Sequence, residues 1–286
     1  MRIRRGGPVA AGIALCLGAL TACGGSSGAP GAAEGPVNPP RAGAPAPDGP
    51  APDDRSPAAA GRKKDDAPAL AGKVIVIDPG HNGGNADHPA EINKKVRIGN
   101  GTKACDTTGT STNDGYPEHA FTWDVSKRLA KLLRADGAKV TLTRKDDKGV
   151  GPCITERAAI ANRLKADAAV SIHADGNARP SANGFHIIEP VSIGANAAMV
   201  PGSRRLGKAL RDAYREGTGM PYSNYLGKDG RDRRGDLGGL NLSKVPKVFV
   251  ECGNMRNKGD AAKFADASFR QRIAESLAAG FRDFLR

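Results

Sequence analysis

The chain has 286 residues, with 43 Lys plus Arg against 30 Asp plus Glu, a formal charge of +13, and a composition that is 39% hydrophobic but only 4% aromatic. The apolar stretch Val9 to Leu20 is too short for a comfortable transmembrane span, and the five cysteines include no Cys-x-x-Cys pair to support a cysteine-only metal site. A positive surface raises encounter rates with anionic partners without fixing any chemistry.

Arg2, Arg4 and Arg5 precede the apolar stretch, so residues 1–22 read as a secretory signal. Leu20-Thr21-Ala22-Cys23 resembles a bacterial lipobox, which implies cleavage before Cys23 and a lipid on that cysteine, anchoring the protein outside the membrane. The alternative is an ordinary signal peptide that ends near a cysteine. Loss of the three arginines leaves 40 of the 43 basic residues against 30 acidic ones, a net charge of +10. Nucleic acid is a poor partner for an exported chain, and an anionic envelope polymer suits it better. Residues 23–71 are rich in Gly, Ala, Pro, Ser and Asp and read as a disordered tether, because they hold too few large apolar side chains to offset ordering. Residues 72–286 have the size of one α/β domain, read as a monomer.

Within that domain, Lys73 to Asp78 reads as a buried strand entering a Pro-Gly turn. Pro117 to Ala135 places Pro at a helix start and Phe121, Val125, Leu129 and Leu132 on one face. Gly137 ends it, and Lys139 to Thr143 gives the next strand. Thr155 caps a helix through Leu164 that buries Ile160 and Leu164, and Ala168 to Ile172 is a strand. Gly184 to Ile188 is a further strand, Ser203 to Glu216 a helix, Pro246 to Glu251 a buried strand, and Asp260 to Leu285 one long helix. Arg231-Asp232-Arg233-Arg234 reads as a solvated loop. The alternation predicts a twisted, mostly parallel sheet with helices on both faces, a class that binds ligands beyond the carboxyl ends of its strands.

Polar residues interrupt the apolar runs at those ends. His81 follows Asp78-Pro79-Gly80, His173 follows Val170-Ser171-Ile172, and Glu251 follows Val248-Phe249-Val250, while Glu118 opens a helix. A lone histidine is usually a loop-stabilising group, but two at matching strand ends, with carboxylates, form a candidate metal site. Two imidazoles and one carboxylate are a zinc-hydrolase donor set that leaves one position for water, and the remaining carboxylate can serve as its base. Asp78 orients a loop or a ligand, while His88, His119 and His186 are less decisive, and His186 follows the sheet alternation. Cys105 and Cys153 lie in loops flanking the site and form the favoured disulfide in an oxidising exterior. Cys252 reads as a small core hydrophobe, with a thiolate nucleophile as the minor alternative.

The segments VIVIDPGHNGG, YPEHAFTWDVSKRLAKLL, SIHADG and PKVFVECGNMRN resemble the motifs of the zinc-dependent N-acetylmuramoyl-L-alanine amidases of the Amidase_3 class, in their actinobacterial, mycobacterial-type branch. The resemblance implies one Zn2+ held by His81, Glu118 and His173, with Glu251 as the catalytic glutamate. It also implies a twisted mixed sheet and cleavage of the amide between the lactyl group of N-acetylmuramic acid and L-alanine, in peptidoglycan or muropeptides. Where many relatives have Leu-Asn, this chain has Phe121-Thr122, positions expected to pack or orient the helix. Two stretches are candidate groove walls: Asn85 to Asn113, and Tyr222 to Asn241 with Arg233, Arg234 and Asn241. Two rival readings are a zinc peptidase cutting within the stem peptide and a non-catalytic, lipid-tethered peptidoglycan-binding protein.

Overall fold

The computed structural model describes residues 68–286. The export segment, Cys16, Cys23 and nearly all of the expected tether lie outside the described residues. Leu70, assigned to the tether by composition, is fully buried in the main core, so the folded unit begins slightly earlier than residue 72.

In chain order the elements are β1 (Val74–Pro79), α1 (Pro89–Ile92), β2 (Lys95–Arg97), β3 (Thr102–Ala104), α2 (Glu118–Ala135), β4 (Lys139–Leu142), α3 (Ile154–Arg163) and β5 (Ala168–Asp175). They continue with β6 (His186–Pro190), α4 (Val200–Thr218), β7 (Arg231–Arg234), α5 (Gly238–Asn241), β8 (Lys247–Asn254), α6 (Lys258–Ala265) and α7 (Ala267–Leu285). Six strands form one mixed sheet in the order β4-β1-β5-β8-β6-β7, with only the β6–β8 pair antiparallel. β2 and β3 form a separate antiparallel hairpin.

Strand alternation sets the two layers. Ile75 and Ile77, Val170 and Ile172, and Val248 and Val250 face the larger core, together with residues of α2, α4 and α7. α2 buries Phe121, Val125, Leu129 and Leu133, each contributing roughly 1.5–3 kcal/mol by area. Val76 and Ala169 face the opposite side with Ala161 of α3. Asp78, Ser171, His173, Lys247, Phe249 and Glu251 share that second face by the same alternation, which concentrates the polar residues of the central strands on one side.

Several boundaries differ from the sequence expectation. The C-terminal helix is two helices, because Asp266 adopts an extended backbone and its side chain accepts from Ser268 N at 2.8 Å, capping α7. α3 starts at Ile154 after Cys153 and buries Arg157, Ala158 and Ala161, whereas Leu164 is 42% exposed. Arg231–Arg234 is an edge strand paired with β6, with Arg231 in a bidentate contact to the buried Glu189. β5 and β8 run past Ile172 and Glu251, since their pairing continues through an irregularity after His173.

Candidate metal centre

β1, β5 and α2 deliver three side chains to one point. One ligand atom from each of His81, Glu118 and His173 lies within 4.8 Å of the others. Glu118 sits between the two rings, with Oε2 3.2 Å from His81 Nε2 and Oε1 3.1 Å from His173 Nδ1. Its oxygens also accept from Thr110 N at 3.0 Å and Ala174 N at 3.1 Å, so the backbone fixes the carboxylate. The first turn of a helix suits this anion.

The rings are held from behind. His81 Nδ1 lies 3.0 Å from Thr107 O and donates to it, which turns Nε2 toward Glu118. His173 stacks on Phe249 with centroids 5.2 Å apart. Gly80 must lack a side chain, because a Cβ there would lie 2.3 Å from His173 Cε1. Gly109 combines φ +76° with the same crowding, its Cβ falling 2.8 Å from His81 and 2.9 Å from Glu118 Oε2. His81 itself has φ +59°, a left-handed conformation that costs on the order of 1 kcal/mol for a residue with a side chain.

Glu251 pairs in register with His173 and lines the same cavity of about 680 Å³. It lies outside the three-residue cluster. Burial, then the neighbouring Asp175 and Glu118 carboxylates, push its pKa well above the ordinary range. At His81, burial opposes protonation, but Glu118 and Asp106 outweigh it and hold the pKa up to about 10. The Glu118 and Asp106 carboxylates thus favour a positive charge at the His81 ring.

Residues 75–283 match the profile of the N-acetylmuramoyl-L-alanine amidase family. The chain is 44% identical over 217 residues to an N-acetylmuramoyl-L-alanine amidase of Mycobacterium tuberculosis, covering 76% of this chain and 88% of that one. The chain belongs to the N-acetylmuramoyl-L-alanine amidase family. Two solved amidases agree in fold. Ami1 of Mycobacterium smegmatis matches with TM-score 0.71 and 42% identity, over 76% of this chain and 98% of that one. Ami1 of Mycobacterium abscessus, in its apo form, matches with TM-score 0.71 and 40% identity, over 76% and 100%.

In this amidase both candidate walls line the cavity. Lys95, Lys103 and Thr107 come from the first, Arg234 and Leu237 from the second. Lys103 Nζ meets Asp236 at 2.7 Å, closing one wall on the other. Asn241 is fully buried and donates to Asn100 Oδ1 and Gly235 O, so it clamps the walls together and does not face the groove. Arg233 is 53% exposed beside Glu189 and lies outside the cavity lining. The Cys105–Cys153 disulfide is formed. Cys252 is buried in the core, and burial pushes its thiol pKa up, which disfavours a thiolate.

Asp78 is not in the cluster. Lys247 Nζ and Arg157 Nη1 each lie 3.0 Å from its carboxylate, and Thr143 and Ser171 donate to it. Thr122 Oγ1 donates to Gly80 O, so the Phe121-Thr122 pair packs and orients α2 as expected. His119 pairs with Asp147, His88 with Gly84 O, and the buried His186 faces Asp175 at 3.7 Å. Sequence reading did not single out Arg157, Asp106, Thr107 or Asp175. Thr107 acts through its carbonyl, which no side-chain pattern reveals, and the other three are ordinary charged residues until the fold gathers them.

Proposed function

We propose that His81, Glu118 and His173 hold one zinc ion and that Glu251 is the proton carrier for hydrolysis of the amide between N-acetylmuramic acid and L-alanine. The observation that carries this reading is the carboxylate of Glu118 seated between two imidazoles in a cavity that Glu251 also lines. The donor set fits the ion: two imidazoles and one carboxylate, with one ligand atom from each within 4.8 Å of the others, are donors that zinc takes in hydrolases. Zinc bound there lowers the pKa of a coordinated water towards ~7 and polarises the scissile carbonyl.

The chain's own groups do the rest. A Glu251 carboxylate oxygen removes the water proton and returns it to the departing alanine nitrogen, a role that suits a carboxylate whose proton affinity is raised by burial and by the neighbouring Asp175 and Glu118. The stem peptide leaves with a free amine and the glycan stays intact. The walls carrying Lys95, Lys103 and Arg234 flank the groove. The basic surplus favours an anionic wall polymer, and a lipid on Cys23 would hold this exported monomer at the outer face of the membrane through the 23–71 tether.

The test is mass spectrometry of products from defined muropeptides, with zinc removed and restored and with Glu251→Gln alongside. Zinc-dependent release of intact stem peptide is expected, with the variant keeping zinc but losing about 10²–10⁴-fold in rate. Shortened peptides still attached to muramic acid would support the peptidase reading, and near-normal turnover by Glu251→Gln would remove that residue from the mechanism.

A further inference from the structure

Arg157 of α3 is buried and uses all five of its N–H donors. Nε donates to Pro152 O at 2.8 Å, Nη1 to Asp78 Oδ1 at 3.0 Å and Pro79 O at 2.7 Å, and Nη2 to His81 O at 3.0 Å and Asp106 Oδ2 at 3.1 Å. It thus holds His81 at two points. One is direct, the carbonyl of the residue with the left-handed backbone. The other runs through Asp106, whose Oδ1 accepts from Thr107 N at 2.7 Å and so sets the carbonyl that receives His81 Nδ1–H. The backbone and the ring of one candidate ligand answer to the same guanidinium.

We infer that Arg157 is a positioning residue for the metal centre, fixing the angle at which His81 Nε2 is presented. The inference rests on the zinc-site reading above. A planar fork is needed for this task, because five donors must diverge at set angles to three carbonyls and two carboxylates. Lysine at this position keeps the charge opposite Asp78 and Asp106 but offers three donors from a single atom, and cannot reach all five acceptors together.

The test is Arg157→Lys in the intact chain, with three readouts: melting temperature without metal, zinc affinity by competition with a chelator, and the visible absorption bands after Co2+ replaces zinc. The expected result is a folded metal-free variant whose zinc affinity falls about 10–100-fold, with shifted cobalt bands that report altered ligand geometry. A folded variant with zinc affinity within about threefold of the parent and unchanged bands would assign Arg157 to fold stability alone. If Arg157→Lys does not fold, Asp106→Asn keeps the guanidinium and removes its charged link both to the Thr107 carbonyl and to the His81 ring, whose Nδ1 lies 3.7 Å from Asp106 Oδ1. Weaker zinc and shifted bands there support the inference, and an unchanged site overturns it. A parent chain that binds no zinc would overturn the metal-site reading itself, a result distinct from a parent that binds zinc and variants that bind it equally well.

Discussion

At residue 80 the side chain is missing because His173 fills its space. The backbone of Gly80 does not require left-handed φ, so alanine is sterically excluded by the ring and not by the turn. Gly80→Ala is therefore expected to fold but to displace His173, lowering zinc affinity at least about tenfold. Metal content after dialysis, read beside the melting temperature, checks this. A folded alanine variant that retains full zinc would mean that the His173 ring is not fixed at that spot. His81, Glu118, His173 and Glu251 could be picked from the sequence as candidates because each is a polar residue where an apolar run ends or a helix opens, and the fold brings them to one cavity. Gly109 and Thr107 were not, since one acts by lacking a side chain and the other through its carbonyl.

Between elements, Asp78 ties β1 to β5, β8 and α3 through Ser171, Lys247 and Arg157. Burial would raise its pKa, but Lys247 and Arg157 outweigh that and hold it far below the ordinary value of 3.8. A folded-state pKa below the unfolded one contributes stability that is fully present above about pH 4 and lost as pH falls towards the folded value. Urea titrations across pH should show this loss in the parent. Asp78→Asn should be about 3–5 kcal/mol less stable at neutral pH, with a flatter acid limb. An acid limb as steep as the parent's would place the acid sensitivity elsewhere. The Cys105–Cys153 bridge closes a separation of 48 residues and ties the segment before Thr107 to the start of α3. Chain entropy assigns a loop of that length about 4 kcal/mol, so reduction or a Cys105→Ser, Cys153→Ser double variant is expected to lower the melting temperature by many degrees. An unchanged melting temperature would mean that the reduced unfolded chain is already restrained.

For the whole molecule, a catalytic sheet of six strands follows a signal and a tether read from composition. Among the described residues no helix is long and apolar enough to cross a membrane. On the lipid-anchor reading proposed above, Cys23→Ser is expected to move the protein from the membrane fraction to the soluble one without changing the activity of the purified enzyme. Equal membrane recovery of parent and variant would sink the lipid anchor.

The sequence by itself determined most of the alternation of strands and helices, the faces that the apolar residues of the central strands bury, and the donor types at the strand ends. These are local properties, written in periods of two and 3.6 residues. Tertiary structure alone decided that Glu118 sits between the imidazoles while Glu251 lies outside that cluster. It also decided that the run Arg231–Arg234 pairs as an edge strand and that Asn241 joins the two walls. Those outcomes depend on the register of β1, β5 and β8 and on contacts such as Arg157 to His81, 76 residues apart, and Lys247 to Asp78, 169 apart. Local periodicity carries burial, but convergence of distant polar atoms appears only once the strands are paired.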